Sequence, residues 1–272
     1  MIRLDNGPRR NEIPGMRAPL LDGGSRRSLL IGGGIALVFS LVPFTRFVFG
    51  YLGTLVHEMG HCVTGWVFGY PSIPAFDFMH GGGVTLHQDR SFVVLAAVYL
   101  AIIWLLYRLR SSPAALAAGL SLIGIYTLAA FTSLHELVQL SMGHGAELVV
   151  SGIFIYRALS GEKAHGERPA YAFAGLFMLF GSIRLAYGLM TSHERRVEYE
   201  LAKGGGGWMD LSLIADAHLG MDLASVAAIF LVCCALPVAL SLIVLRFRDA
   251  RPGEDVSRDQ RCERAIRSTC SR

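Results

Sequence analysis

FGYLGTLVHEMGHCVTGWVFGY, residues 49–70, decides how the chain is read. The stretch is mostly apolar, yet His57, Glu58 and His61 fall within it at HExxH spacing. An apolar run of this length reads as a membrane-crossing helix. Ionisable side chains at membrane depth are costly and mark function by default. On a helix, residues four apart share a face, so the imidazoles of His57 and His61 can bind one metal ion. Glu58, beside the first histidine, then reaches a metal-bound water and can take its proton. Zinc lowers the pKa of such a water to about 7.

The rest of the chain continues the apolar pattern. Hydrophobic residues make up 53% of it and the mean hydropathy is positive. Apolar runs cover 28–70, 91–107, 113–139, 144–160, 169–191 and 222–245, most of them near the ~20 residues that a spanning helix needs. As one straight helix, 28–70 would be about 60 Å long, roughly twice the hydrocarbon thickness. Charge decides how it is divided. If 28–70 crosses once in net, 19 of the 25 Lys and Arg residues fall on one side, and only Arg90, Arg195, Arg196 and Lys203 on the other. Two crossings there would scatter them evenly. The positive-inside rule therefore predicts six net crossings with both termini cytoplasmic, seven being the competing count. Residues 28–45 would then be re-entrant or interfacial, with Gly32, Gly33, Gly34 and Pro43 permitting the bend.

Two connecting segments are informative. Residues 71–90 predict a β-hairpin, with strands Ala75–Met79 and Val84–His87 around Gly81-Gly82-Gly83. His80 and His87 flank that turn and read as polar hairpin residues. Residues 192–221, with Glu194, Arg195, Arg196 and Gly204–Gly207, read as a solvent-exposed loop. The expected fold is thus an all-α polytopic membrane protein with a short β-hairpin after the HExxH helix. It divides into a polar cytoplasmic tail (1–27), a transmembrane metalloprotease-like domain (28–247) and a charged, disordered tail (248–272). The polar N-terminus lacks the pattern of a signal peptide. Cys62, Cys233, Cys234, Cys262 and Cys270 form no CxxC pair, which argues against a zinc ribbon or disulfide framework. The basic residues suit topology and do not form a nucleic-acid footprint.

HExxH supplies two ligands, and a catalytic zinc needs a third protein donor plus water. A second polar island, residues 135–147, runs His135-Glu136-Leu-Val-Gln139-Leu-Ser-Met-Gly143-His144-Gly145-Ala-Glu147. His144 and Glu147 are three apart and share a helical face. Glu147 is the first expectation for the third ligand and His144 the alternative, with His135 and Glu136 behind them. His144 could instead orient Glu147, and Glu136 could pair with Arg184.

With His57, Glu58 and His61 set in GYLGTLVHEMGHCVTGWVFG, and PAFDFMHGGGVTLH following, the chain resembles the site-2-protease family of intramembrane zinc metalloproteases. The resemblance implies zinc on His57 and His61, Glu58 as general base, and cleavage of a peptide bond within or near the bilayer. It also implies a substrate segment that unwinds and adds as a strand to the hairpin edge. The family's third ligand is an aspartate in a downstream LDG-type motif. Here the only Leu-Asp-Gly is Leu21-Asp22-Gly23, ahead of the HExxH, so the Gly143–Leu148 stretch would have to replace it. Membrane metalloproteases that trim prenylated proteins pair HExxH with a glutamate, which makes Glu147 chemically reasonable.

The expected function is an intramembrane zinc endopeptidase acting on a membrane-protein or peptide substrate in the lipid bilayer, with no nucleic-acid partner and its oligomeric state open. One alternative is a non-proteolytic membrane metal-binding protein or transporter, since His and Glu also line ion pathways. Another is a membrane di-iron hydroxylase, which His57 and His61 also fit as HxxxH. Such sites commonly use adjacent His-His pairs, and the chain has none.

Overall fold

The computed structural model describes residues 23–77, 82–160, 166–202 and 209–249. Most of the two expected tails, His80, Gly81 and Gly204–Gly207 lie outside them. The apolar runs become helices: α1 (Gly23–Leu41), α2 (Pro43–Val67), then strands β1 (Ser72–Asp77) and β2 (Gly82–His87), then α3 (Phe92–Leu109), α4 (Pro113–Ala130), α5 (Leu134–Leu159) and α6 (Arg168–Thr191). There follow α7 (His193–Leu201), a single turn α8 (Asp210–Leu213), a π-helical turn (Ile214–Leu219), α9 (Leu223–Cys233) and α10 (Leu236–Asp249). Among the described residues, five segments are long and apolar enough to cross a membrane, taking Leu223–Arg248 as one, and the α1–α2 pair makes a sixth if it is one broken span.

Helix starts follow local chemistry. Ser91, Ser112, Ser192 and Asp222 each accept a hydrogen bond from a backbone N–H in the first turn of α3, α4, α7 and α9, satisfying a donor that the helix leaves orphaned. Proline occupies the first or second position of α2, α4 and α6, where its missing N–H costs nothing. The α1–α2 bend of 111° sits at Val42–Pro43. The Thr45 hydroxyl spans it, donating to the Phe39 and Val42 carbonyls at 2.9 and 3.1 Å. Arg184 reaches back to the Ser40 carbonyl at the end of α1, rather than serving Glu136.

The expected role of Gly32–Gly34 in that bend is corrected, because α1 is helical straight through them. Gly32 instead sets a helix crossing: a Cβ there would lie 2.4 Å from the Pro169 carbonyl oxygen and 2.7 Å from the Ala172 Cβ of α6. A second correction concerns the runs 113–139 and 144–160. The break falls at Phe131–Ser133, so α5 starts at Leu134 and carries the whole second polar island in its first half. Glycines 143 and 145 do not interrupt it, and Gly143 serves the close packing of α5 against His57 and His61 of α2. The hairpin forms, antiparallel, but its first strand begins at Ser72, with Ser72 opposite His87 and Ala75 opposite Val84.

Helix α5 is the centre of the bundle, packed against α2, α4, α6, α8 and α10. Small residues allow the close approaches. At Gly60 of α2, a Cβ would lie 2.1 Å from the Met142 carbonyl oxygen of α5. At Gly175 of α6 it would lie 2.9 Å from the Ser151 carbonyl oxygen, and the Ser151 hydroxyl donates to the Gly175 carbonyl at 2.7 Å. Close backbone approach with small residues and interhelical hydrogen bonds is how helices associate without a hydrophobic drive between them. The buried core gathers Leu148, Ile155, Leu179, Leu189, Ile214, Phe230 and Leu245 from α5, α6, the π-helical turn, α9 and α10. Helices α3 and α4 stand outside it. Leu95 and Ala130 are their buried residues, while Phe92, Val93, Leu122 and Ile125 face outward. An apolar surface of that extent is untenable in water and ordinary against lipid.

Candidate metal centre

His57 and His61 lie one turn apart on α2, and their rings turn the same way, with Nε2 atoms 3.1 Å apart. What each ring does with its other nitrogen fixes its chemistry. His61 Nδ1 donates to the Gln139 carbonyl of α5 at 2.7 Å. His57 Nδ1 donates to Glu147 Oε1 of α5 at 3.0 Å. A carbonyl and a carboxylate can only accept, so both Nδ1 atoms carry a proton there, and when the rings are neutral it is the Nε2 atoms that hold the lone pairs.

A third acceptor meets them. Asp210 Oδ2, at the start of α8, lies 2.8 Å from His57 Nε2 and 3.0 Å from His61 Nε2. When the rings are neutral, their two lone pairs and the carboxylate oxygen repel one another unless a cation, either a proton or a metal ion, sits among them. These donors form a group that could hold a metal ion. Tetrahedral zinc with ligands at ~2.0–2.1 Å places them about 3.3–3.4 Å apart, so the set would need to open by only a few tenths of an ångström. Space is kept for the ion by Gly143 of α5, where a Cβ would lie 2.4 Å from His61 Nε2 and 2.7 Å from His57 Nε2. The donor set and the cradle fit a small divalent cation.

Glu147 and His144, the expected third ligands, meet His57 from its other side. Glu147 meets His57 at Nδ1, on the side away from His61, and its other oxygen accepts from the Ser182 hydroxyl of α6 at 2.9 Å. His144 Nδ1 is 3.6 Å from Glu147 Oε2, and its ring lies 4.5 Å from that of His57. His57, His144 and Glu147 form a second compact group of possible ligand atoms, but it excludes His61. His135 is farther off in role: it donates to the Thr132 carbonyl, accepts from the Tyr70 hydroxyl and stacks on the Tyr70 ring.

Asp210 falls in the segment expected to be a solvent-exposed loop, and the structure corrects that for 209–215. Leu211, Ser212, Ile214 and Ala215 are buried, so the chain dips into the bundle after the exposed helix α7. The Leu211 N–H donates to the Tyr199 hydroxyl of α7 at 3.4 Å. Gly220, with φ +60°, ends the π-helical turn. Burial, with the charge of Asp210 added, pushes the Tyr199 phenol up. One signal was present in the sequence: Met209-Asp210-Leu211-Ser212-Leu213-Ile214 places a single acid in apolar company within an otherwise charged segment.

Glu58 is 3% exposed and points at the hairpin. The Thr85 hydroxyl of β2 donates to its Oε2 at 2.7 Å. Gly83 lets β2 lie against it, since a Cβ there would be 2.6 Å from Oε1. His87 is occupied within the hairpin, 2.7 Å from the Ser72 hydroxyl. Compared with protein-family models, curated proteins and solved structures, the chain finds no match.

Proposed function

We propose that this chain is a multi-pass membrane zinc metalloendopeptidase, with His57, His61 and Asp210 as ligands and Glu58 as general base, cleaving a peptide bond of a membrane-protein substrate. The observation that carries it is the convergence of two imidazole Nε2 atoms and one carboxylate oxygen, 2.8–3.1 Å apart, beside a glycine that leaves the space open. A His₂-carboxylate set leaves a fourth position for water or substrate, as catalytic zinc sites require. An aspartate in that place is also what the resemblance to site-2 proteases implies, although it stands in Met209-Asp210-Leu211 and not in an LDG motif.

When bound, zinc supplies a Lewis acid for the scissile carbonyl and acidifies a water. The side chains do the rest. Glu147 and the Gln139 carbonyl hold the imidazoles in the tautomer that leaves Nε2 free, so Glu147 is a positioning residue. Glu58, one residue beyond His57, takes a proton from water at Oε1 and returns it to the leaving amine, while Thr85 keeps Oε2 fixed. Neighbouring β2 provides a strand to which an unwound substrate can add. The outward apolar faces of α3 and α4 support insertion in a bilayer. The ends of α1, α5, α6 and α10 that border the basic segments lie together: Ser25 donates to the Leu159 carbonyl and Arg248 to the Ser160 carbonyl. That end is proposed to be cytoplasmic.

The test is metal analysis and cleavage of a transmembrane reporter peptide by purified protein. Wild type should hold one zinc. Glu58→Gln should keep it and lose cleavage, and Asp210→Ala should lose both. Stoichiometric zinc in Asp210→Ala would overturn the ligand set. Wild-type cleavage by Glu58→Gln would overturn the mechanism, and zinc without cleavage in every reporter would favour a metal-binding or transport protein. Two irons would mean the hydroxylase alternative.

A further inference from the structure

Helix α7 is the most polar helix of the described chain, yet two of its side chains turn back toward the bundle. Arg196 and Tyr199 are three apart and share a face, while Glu194, Arg195, Val197 and Glu198 around them are exposed. Arg196 Nη1 donates to the Leu189 carbonyl near the end of α6 at 2.8 Å. Tyr199 packs its ring against the buried core, and its hydroxyl accepts from the Leu211 N–H at 3.4 Å. Both contacts serve backbone groups that helix ends leave without partners of their own. One is a last-turn carbonyl of α6, the other a first-turn amide of α8.

The second contact acts on the metal site because of where Leu211 stands. It directly follows Asp210 in a helix of four residues, and a single turn has little internal hydrogen bonding to hold its shape. Met209 at the N-cap provides no side-chain hydrogen bond. Leu211 is 4% exposed, so water is a poor substitute and an unpaired N–H there would be costly. The phenol oxygen therefore does the work of a capping side chain from 12 residues earlier in the chain. Asp210 is also near enough for its charge to act on that phenol. We propose that Tyr199 is a positioning residue for the metal: by holding the Leu211 amide it sets the turn that aims Asp210 Oδ2 at the Nε2 atoms of His57 and His61. This rests on the ligand set proposed above and not on proteolysis.

The experiment uses the full chain in detergent micelles, loaded with zinc or with cobalt(II), whose visible absorption reports the number and geometry of its donors. Tyr199→Phe deletes one oxygen and keeps the ring against the core. It should bind zinc about 10-fold more weakly in chelator competition, as expected on losing a group that orients a ligand, and its cobalt bands should shift or weaken. Tyr187→Phe, at a position 58% exposed on α6, should match wild type in both measurements. Unchanged zinc affinity in Tyr199→Phe would overturn the proposal. So would weaker binding with an unchanged cobalt spectrum, because lost stability alone leaves the coordination of bound metal as it was. A wild type that takes up neither metal would overturn the ligand set and this proposal with it. Metal-binding wild type beside an indifferent Tyr199→Phe would overturn this proposal alone.

Discussion

Gly143 matters because it has no side chain. The atom that alanine would add crowds both Nε2 atoms, 2.4 Å from His61 and 2.7 Å from His57, so the rings must shift away from the positions that converge on an ion. Gly143→Ala should purify as a folded protein, destabilised by about 1–3 kcal/mol from overpacking, with metal content near zero. Full metal occupancy in that variant would mean that the ion sits elsewhere. Glu147 tests the division of labour at the same scale. Of the two motif histidines it meets only His57, at the far nitrogen, so Glu147→Gln should weaken metal affinity by about 10–100-fold without abolishing binding, as read by chelator competition. If Glu147→Gln instead abolished binding, as Asp210→Ala should, Glu147 would have to be counted a ligand.

At the scale of elements, three pieces from distant parts of the chain make the site. Helix α2 carries the histidines, α5 orients them, and the short α8 brings the acid. The close crossing of α2 and α5 depends on Gly60, whose missing Cβ lets the Met142 carbonyl approach. Placement of α8 depends on how the π-helical turn behind it ends. Gly220 there has φ +60°, and the Met221 N–H donates back to the Ala215 carbonyl at 3.1 Å. A β-branched residue in the left-handed region costs roughly 1–2 kcal/mol. Gly220→Val should therefore lower the melting temperature and reduce metal occupancy by displacing Asp210, whereas Gly220→Asn, which tolerates that conformation, should retain most of both. Equal behaviour of the two variants would show that the turn does not position the acid.

For the whole molecule, the question is which end faces which compartment. Ser25, Leu159, Ser160 and Arg248 meet at one end of the bundle, joining the parts of the chain that border most of its arginines. Reporter fusions at the N- and C-termini should thus both report the cytoplasm, and a cysteine placed at Glu194 on the exposed helix α7 should react with an impermeant reagent from the opposite side. Termini on opposite sides would require an odd number of crossings and would make the α1–α2 bend two spans.

The sequence alone determined the features governed by local periodicity and composition. These are the apolar segments of membrane-crossing length, the bend near Pro43, the hairpin after α2 and a pair of imidazoles on one helical face, because each depends on residues within a turn or two of one another. It misplaced the start of α5, since a Phe-Thr-Ser break carries less obvious punctuation than the glycines at 143 and 145. It could not supply Asp210. That residue is 149 positions from His61, and its importance comes from the burial of Leu211, Ile214 and Ala215, which only packing against the other helices produces. Nor could it separate the acid that meets both Nε2 atoms from the one that meets a single Nδ1, because spacing along a helix says which face a side chain shares but not which nitrogen it reaches.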